Sequence, residues 1–190
     1  MTKDLLINQL NSITDTRRVN RLRVANLVLE NKNIFPFLLA ITFDFNNKTS
    51  IKAAWVLEFV CHKKLEWVAE YIDLFCIHLN KLHFGSAVRP IAKICELLAK
   101  AYTSKEAFYI KEKLKKEHID LIIEASFDWL ISKHKVAIKV YSMETLLIFG
   151  ENYDWVYEEL EHIIAQNIYK ESGAYKSRGK KVLLRLKKNK

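Results

Sequence analysis

The sequence predicts an all-α fold made of stacked helical hairpins. Apolar residues recur at helical spacing in nearly every segment of the 190 residues. Only four glycines and two prolines occur, which is too few for the turns that an all-β protein needs. A helix opening with one basic residue recurs at Lys52, Arg89, Lys139 and Arg178, at intervals of 37, 50 and 39 positions. Such a period is typical of an α-solenoid, in which each hairpin packs on its neighbours.

The periodicity predicts roughly ten helices and no strand. Both prolines, Pro36 and Pro90, are expected in the first turn of a helix, where the missing N–H costs nothing. Gly150 is expected to cap the helix that ends at Phe149. The predicted helices span about 5–10, 16–30, 34–44, 50–61, 65–81, 87–101, 103–116, 117–132, 135–149, 153–168 and 173–188.

The positive charge is concentrated at one end of the chain. The formal net charge is +9, but residues 170–190 hold nine basic residues and one acidic residue. The remainder, with 22 basic and 21 acidic residues, is nearly neutral. A smaller cluster comprises Arg17, Arg18, Arg21 and Arg23. The high isoelectric point is therefore a local property and does not describe a uniformly basic protein.

The three cysteines favour a reducing compartment. Cys61, Cys76 and Cys95 lie inside apolar helical runs, and they form neither a CxxC pair nor a cysteine–histidine cluster. With no export signal at the start, the expected location is cytoplasmic. No apolar run approaches the ~18 residues that a membrane span needs. The sequence therefore predicts no transmembrane segment.

Two segments carry a resemblance to a known family of repeats. They are residues 88–98, Val-Arg-Pro-Ile-Ala-Lys-Ile-Cys-Glu-Leu-Leu, and residues 136–147, Val-Ala-Ile-Lys-Val-Tyr-Ser-Met-Glu-Thr-Leu-Leu. The pattern resembles HEAT repeats, an armadillo-type α-solenoid, and most closely the short bacterial type. The resemblance covers about residues 15–188 and implies a right-handed α-α superhelix of about five hairpins. It implies one solenoid domain over residues 1–190, capped by the basic terminal helix of residues 170–190, and no single activity.

The recurring cations and the basic end are the candidate binding residues. The recurring cations could contact phosphates or an acidic partner, or they could pair with carboxylates of neighbouring repeats. The second interpretation is favoured. In the basic end, Tyr175, Val182, Leu183 and Leu186 form an apolar stripe on which a terminal helix could dock. Its other faces are cationic and could bind nucleic acid, an anionic membrane surface or an acidic protein. The alternative, that they only solubilise the cap of the last repeat, is favoured. The candidate residues are Lys52, Arg89, Lys139, Arg178, Lys180, Lys181 and Arg185.

The aromatic residues and the histidines point to packing more than to chemistry. Trp55, Trp67, Trp129 and Trp155 recur about once per hairpin, which is typical of core residues. Phe127-Asp128-Trp129 and Tyr153-Asp154-Trp155 invite comparison with HEAT-like DNA glycosylases for alkylated bases, although no catalytic motif aligns. The six histidines are scattered without metal-ligand spacing, so neither a metal nor a cofactor is expected.

These observations predict a binding protein without catalytic activity. The first hypothesis is a helical-repeat scaffold that binds an acidic protein or peptide. The alternative is a nucleic-acid binder related to the HEAT-like glycosylases, which would use the recurring cations and the basic terminal helix. The two hypotheses separate by salt dependence, because nucleic-acid binding weakens steeply as salt rises.

Overall fold

The fold is described from a computed structural model that covers residues 2–189, with side chains described for residues 2–188. All regular structure in this range is helical, which confirms the all-α prediction. The α-helices are α1 (Lys3–Asn11), α2 (Arg18–Glu30), α3 (Phe35–Thr42), α4 (Thr49–Cys61), α5 (Leu65–Ala69), α6 (Ile72–Cys76), α7 (Gly85–Thr103), α8 (Phe108–Lys113), α9 (Lys116–Ile131), α10 (Val136–Phe149), α11 (Asp154–Asn167) and α12 (Gly173–Asn189). Short 3₁₀ helices occupy Lys32–Ile34, Leu79–Lys81 and Gly150–Asn152.

The chain forms two compact units, unit 1 up to Ile94 and unit 2 from Cys95 onward. In unit 1, α4 is the central helix and packs against α1, α2 and α3. In unit 2, α10 is central and packs against α9, α11 and α12. A helix with neighbours on several sides must be apolar on several faces, and both central helices are buried over most of their length. The single solenoid over residues 1–190 stays a prediction.

The helix predicted over residues 65–81 is broken into α5, α6 and a 3₁₀ turn. The backbone of Tyr71 leaves the helical region, with φ −123° and ψ 31°, and the helix resumes when the Phe75 N–H bonds to the Tyr71 carbonyl. Trp67, Phe75 and Leu79 are nevertheless buried, as the spacing predicted. Apolar periodicity reports which side faces the core, and it does not report whether every hydrogen bond along the helix is made.

Pro90 lies inside a helix and not in its first turn, because α7 begins at Gly85 and not near residue 87. A proline in this position cannot donate to the carbonyl four residues earlier, which belongs to Ser86. The Trp55 indole donates to that carbonyl instead, with Nε1 3.0 Å from the oxygen. The carbonyl therefore stays satisfied and Trp55 is held in one place. Pro36, by contrast, lies in the first turn of α3 as predicted.

Gly150 caps α10 as predicted, although for a different reason. Its backbone is in the ordinary right-handed region, with φ −63° and ψ −14°, so no left-handed conformation requires a glycine. A Cβ at this position would come within 2.4 Å of the Tyr157 ring. The close approach of α11 is what demands a glycine here.

Candidate binding surfaces

The two recurring cations of unit 1 are both engaged within that unit. Arg89 on α7 forms an ion pair with Glu58 on α4, whose side chain is 9% exposed. The Lys52 ammonium donates to the backbone carbonyl of Asn11, at 3.1 Å. Asn11 ends α1, and a cation at the carboxyl end of a helix is favoured by the helix dipole.

The two recurring cations of unit 2 are engaged in the same way. Lys139, which is buried on α10, forms an ion pair with Glu171. Arg178 on α12 binds the Glu144 carboxylate on α10, with the nitrogen 2.8 Å from the oxygen. Arg185, one of the terminal candidates, donates to the other oxygen of Glu144 at 3.3 Å. Glu144 therefore fastens two arginines of α12 to the central helix.

These partners favour the structural interpretation of the four recurring cations. Three of them pair with carboxylates of their own unit, and the fourth donates to a helix end. A guanidinium that already binds a well-buried carboxylate would have to break that bond to reach a ligand, and the carboxylate would then be buried without its partner. A ligand has little to gain at these positions.

The terminal helix α12 docks by the predicted apolar stripe. Tyr175, Val182 and Leu186 are buried, while Leu183 is only half-buried. Gly179 completes the stripe, because a Cβ there would come within 3.0 Å of Ile164 on α11. Burial, together with the nearby Glu171 carboxylate, raises the pKa of the Tyr175 phenol to about 12. The helix is thus an integral part of unit 2.

The outer face of α12 combines cations with an exposed leucine. Lys180, Leu183, Leu184 and Lys187 line a shallow depression, and Leu184 is 62% exposed. Lys180, Lys181, Lys187 and Lys188 are exposed. Within the described side chains none of these four lysines forms an ion pair. The candidates Lys180 and Lys181 therefore differ from the recurring cations, because their charges face solvent without a carboxylate.

A second cationic group lies on α2, where two arginines rest on aromatic rings of α4. The guanidinium carbon of Arg18 is 5.5 Å from the Phe59 ring centre, and that of Arg21 is 5.4 Å from the same centre. Arg21 also lies 5.7 Å from the Trp55 ring. The sequence shows the arginine cluster, with two members spaced three residues apart on one helix face. It does not show the rings, because they belong to a different helix.

The tryptophans divide into core and surface residues. Trp67 and Trp129 are buried, in agreement with the core prediction. Trp155 is 55% exposed and stacks on Phe127, with ring centres 5.7 Å apart. Asp154 is the first residue of α11, and the N-cap residue before it is Tyr153, whose side chain makes no capping hydrogen bond. The two aspartate–tryptophan pairs of the sequence are thus not equivalent in the structure.

The thiols and the histidines show no convergent site. Cys61, Cys76 and Cys95 are buried thiols, and burial raises the pKa of the Cys61 and Cys76 thiols. His118 is buried, and its Nδ1 accepts the backbone N–H of Lys115 at the start of α9. Among the described residues, no three histidine, cysteine, aspartate or glutamate side chains come together to hold a metal ion.

Membrane-spanning potential is limited to one bent helix pair. Within residues 2–189, no single helix has both the length and the apolar character to cross a bilayer. The segments Arg18–Glu30 and Lys32–Thr42 satisfy those criteria only when taken together, and they meet at a bend of 108°.

Comparisons with family models, with curated proteins and with solved structures found no match to this chain. The candidate function therefore rests on the chain's own residues and their geometry.

Proposed function

We propose that this protein is a non-catalytic helical-repeat scaffold, HEAT-like in architecture, that binds an acidic protein or peptide. The binding face is the outer side of α12. The observation that carries the proposal is the exposure of Leu184 between Lys180 and Lys187, in a helix whose other apolar residues are mostly buried. The architecture in this proposal is a right-handed superhelix of about five hairpins.

A repeated ion pair supports the repeat architecture. In unit 1 the carboxylate of the central helix, Glu58, accepts from Arg89, which lies 31 positions later. In unit 2 the corresponding carboxylate, Glu144, accepts from Arg178, which lies 34 positions later. Each pair joins a central helix to a later helix through one of the four recurring cations. The same fastening at a similar spacing is what stacked copies of one hairpin would produce.

The chemistry of the α12 face favours an acidic partner with apolar side chains. A surface that only solubilises the protein has no need of an exposed leucine, since lysines alone serve that purpose. Four unpaired lysines attract acidic side chains and steer their approach. Leu184 and the half-buried Leu183 add apolar area that an acidic segment could cover with its own leucine or phenylalanine.

A nucleic-acid ligand is the second candidate, and the lysines alone favour it. A phosphate backbone would bind Lys180, Lys181, Lys187 and Lys188 through charge, and the affinity would fall steeply with salt. The contribution of Leu184 distinguishes the two candidates, because backbone phosphates offer nothing for an exposed leucine to cover.

The test is a binding titration followed by fluorescence anisotropy. The probes are a labelled 15-residue peptide in which single leucines alternate with glutamate pairs, and a labelled 11-nucleotide oligothymidylate, so that each probe carries about ten negative charges. Leu184→Ser is expected to weaken peptide binding by about 5- to 10-fold, as the loss of one partly buried leucine contact implies. The double variant Lys180→Glu, Lys187→Glu is expected to abolish it.

The matched control is Lys105→Glu, which reverses an exposed lysine outside α12 and should leave peptide binding unchanged. The proposal fails if the peptide does not bind at ~50 mM salt. It also fails if the oligonucleotide binds more tightly than the peptide and Leu184→Ser has no effect on either; that outcome would support the nucleic-acid alternative.

A further inference from the structure

We infer that unit 1 holds a binding site for a phosphate monoester, formed by Arg18 and Arg21 above the rings of Trp55 and Phe59 and next to the Arg89–Glu58 ion pair. The site draws on α2, α4 and the first part of α7. None of its residues belongs to α12, so it does not depend on the proposed peptide surface. The phosphate monoester could belong to a small molecule or to a phosphorylated side chain, because both present the same group to the arginines.

The aromatic rings orient the arginines. Phe59 lies beneath both Arg18 and Arg21, and Trp55 lies beneath Arg21. A guanidinium that rests with one face on a ring keeps its N–H groups available at its edges, and these edges match the oxygens of a phosphate. Trp55 is itself held by the bond from its indole to the Ser86 carbonyl. The floor of the site is therefore formed before any ligand arrives.

Arg21 has hydrogen-bonding capacity that the protein does not use. Its Nε is buried and has no partner among the described residues. Burial lowers the pKa of Arg21, and the positive charge of Arg89 lowers it further, while Glu58 acts in the opposite direction. A buried donor without an acceptor is costly, and neighbouring cations add to that cost. An anion placed among these groups would accept the unused hydrogen bond of Arg21 and would offset the repulsion between the cations.

The local charge selects a dianion. Arg89 forms an ion pair with Glu58, while Arg18 and Arg21 form none among the described side chains. The three guanidinium groups and one carboxylate leave an excess of two positive charges. A phosphate monoester carries between about −1.5 and −2 at neutral pH and would cancel that excess. A single carboxylate would cancel half of it, and it offers two acceptor oxygens where the phosphate offers three.

Thermal unfolding of the full chain with inorganic phosphate tests the site. At a phosphate concentration about tenfold above the dissociation constant, the melting temperature of the wild-type protein is expected to rise by roughly 2–5 °C. Acetate and chloride at the same ionic strength should produce a smaller shift. Phosphate titrations of the Trp55 fluorescence, in a variant whose other three tryptophans are phenylalanine, should saturate over the same concentrations.

Two variants and a control make the test specific. Arg21→Met keeps the bulk of the side chain, and Arg18→Gln changes an exposed residue, so both substitutions are chosen to leave the fold intact. Each is expected to reduce the phosphate-induced shift in melting temperature by more than half. Arg17→Gln removes a charge from the same helix end but from a residue paired with Asp15, and it should retain the full shift.

Equal shifts in the wild-type protein and in both variants would overturn the inference, as would equal shifts with phosphate and acetate. Parallel titrations with inorganic phosphate and with O-phosphoserine identify the source of the ligand. Tighter binding of O-phosphoserine supports a phosphorylated side chain, whereas equal or weaker binding supports a small phosphorylated molecule; either order supports the site.

Discussion

At the scale of single residues, the hydrogen bonding of a buried polar atom decides whether its removal lowers or raises the stability of the protein. The Tyr175 hydroxyl is buried without a hydrogen-bond partner among the described residues, although the ring itself is well packed. Lys139 lies 5.9 Å from the centre of that ring, and Glu171 is close enough to raise the pKa of the phenol. The ring stabilises the docking of α12, whereas the hydroxyl contributes nothing favourable.

Tyr175→Phe is therefore expected to be neutral or stabilising by up to about 1 kcal/mol at neutral pH, since it removes an unsatisfied buried hydroxyl. Folding raises the pKa of Tyr175 from 10 to about 12. The folded state thus holds the phenol proton more tightly than the unfolded state does. The contribution of this proton to the stability of the wild-type protein is complete below pH 10 and is lost as the pH rises toward 12. Urea unfolding of both proteins at neutral and alkaline pH measures the effect.

The wild-type protein should lose more stability than Tyr175→Phe over that alkaline range. Tyr169→Phe, which changes a residue that is 87% exposed, serves as the control and should follow the wild type. A Tyr175→Phe variant that is destabilised by more than about 1 kcal/mol at neutral pH would show that the hydroxyl has an acceptor after all.

At the scale of helices, α12 is held to α10 by a polar fastening in addition to its apolar stripe. Glu144 is 11% exposed and binds both Arg178 and Arg185. The stripe was predictable, because Tyr175, Val182 and Leu186 follow helical spacing. The fastening was not, because nothing in the local sequence shows that Glu144 lies opposite two arginines more than 30 positions away.

Glu144→Gln is expected to lower the free energy of unfolding by about 1–2 kcal/mol, since a neutral amide leaves two guanidinium groups without a counter-charge in a partly buried site. The loss is modest because both arginines remain partly exposed and water screens their charge. Chemical denaturation measures it. Glu158→Gln, which removes an exposed carboxylate from α11, should change stability by less than about 0.5 kcal/mol. Equal effects of the two substitutions would argue against the fastening.

At the scale of the whole molecule, the three thiols report on unfolding. Cys61 and Cys76 lie in unit 1 and Cys95 begins unit 2, and all three are buried. A thiol reacts as its thiolate, and burial raises the pKa of the Cys61 and Cys76 thiols. We expect all three to react with a disulfide reagent at least ~10³-fold more slowly in the folded protein than in guanidinium chloride.

Absorbance of the released thiolate, with mass spectrometry of the labelled peptides, measures each rate. Unfolded protein in guanidinium chloride provides the control, in which three thiols should react at similar rates. Rapid labelling of any one cysteine under native conditions would contradict the prediction and would show that its unit opens locally.

The sequence by itself determined the all-α class and most of the helices, because apolar spacing records which side of each helix faces a core. It also located the basic end and the arginine cluster, since charge is a property of composition. Only the tertiary structure decided which cations have partners. Arg89 and Arg178 are bound to carboxylates, whereas Lys180 and Arg21 form no ion pair among the described side chains. The difference lies in side chains that are distant along the chain and adjacent in space.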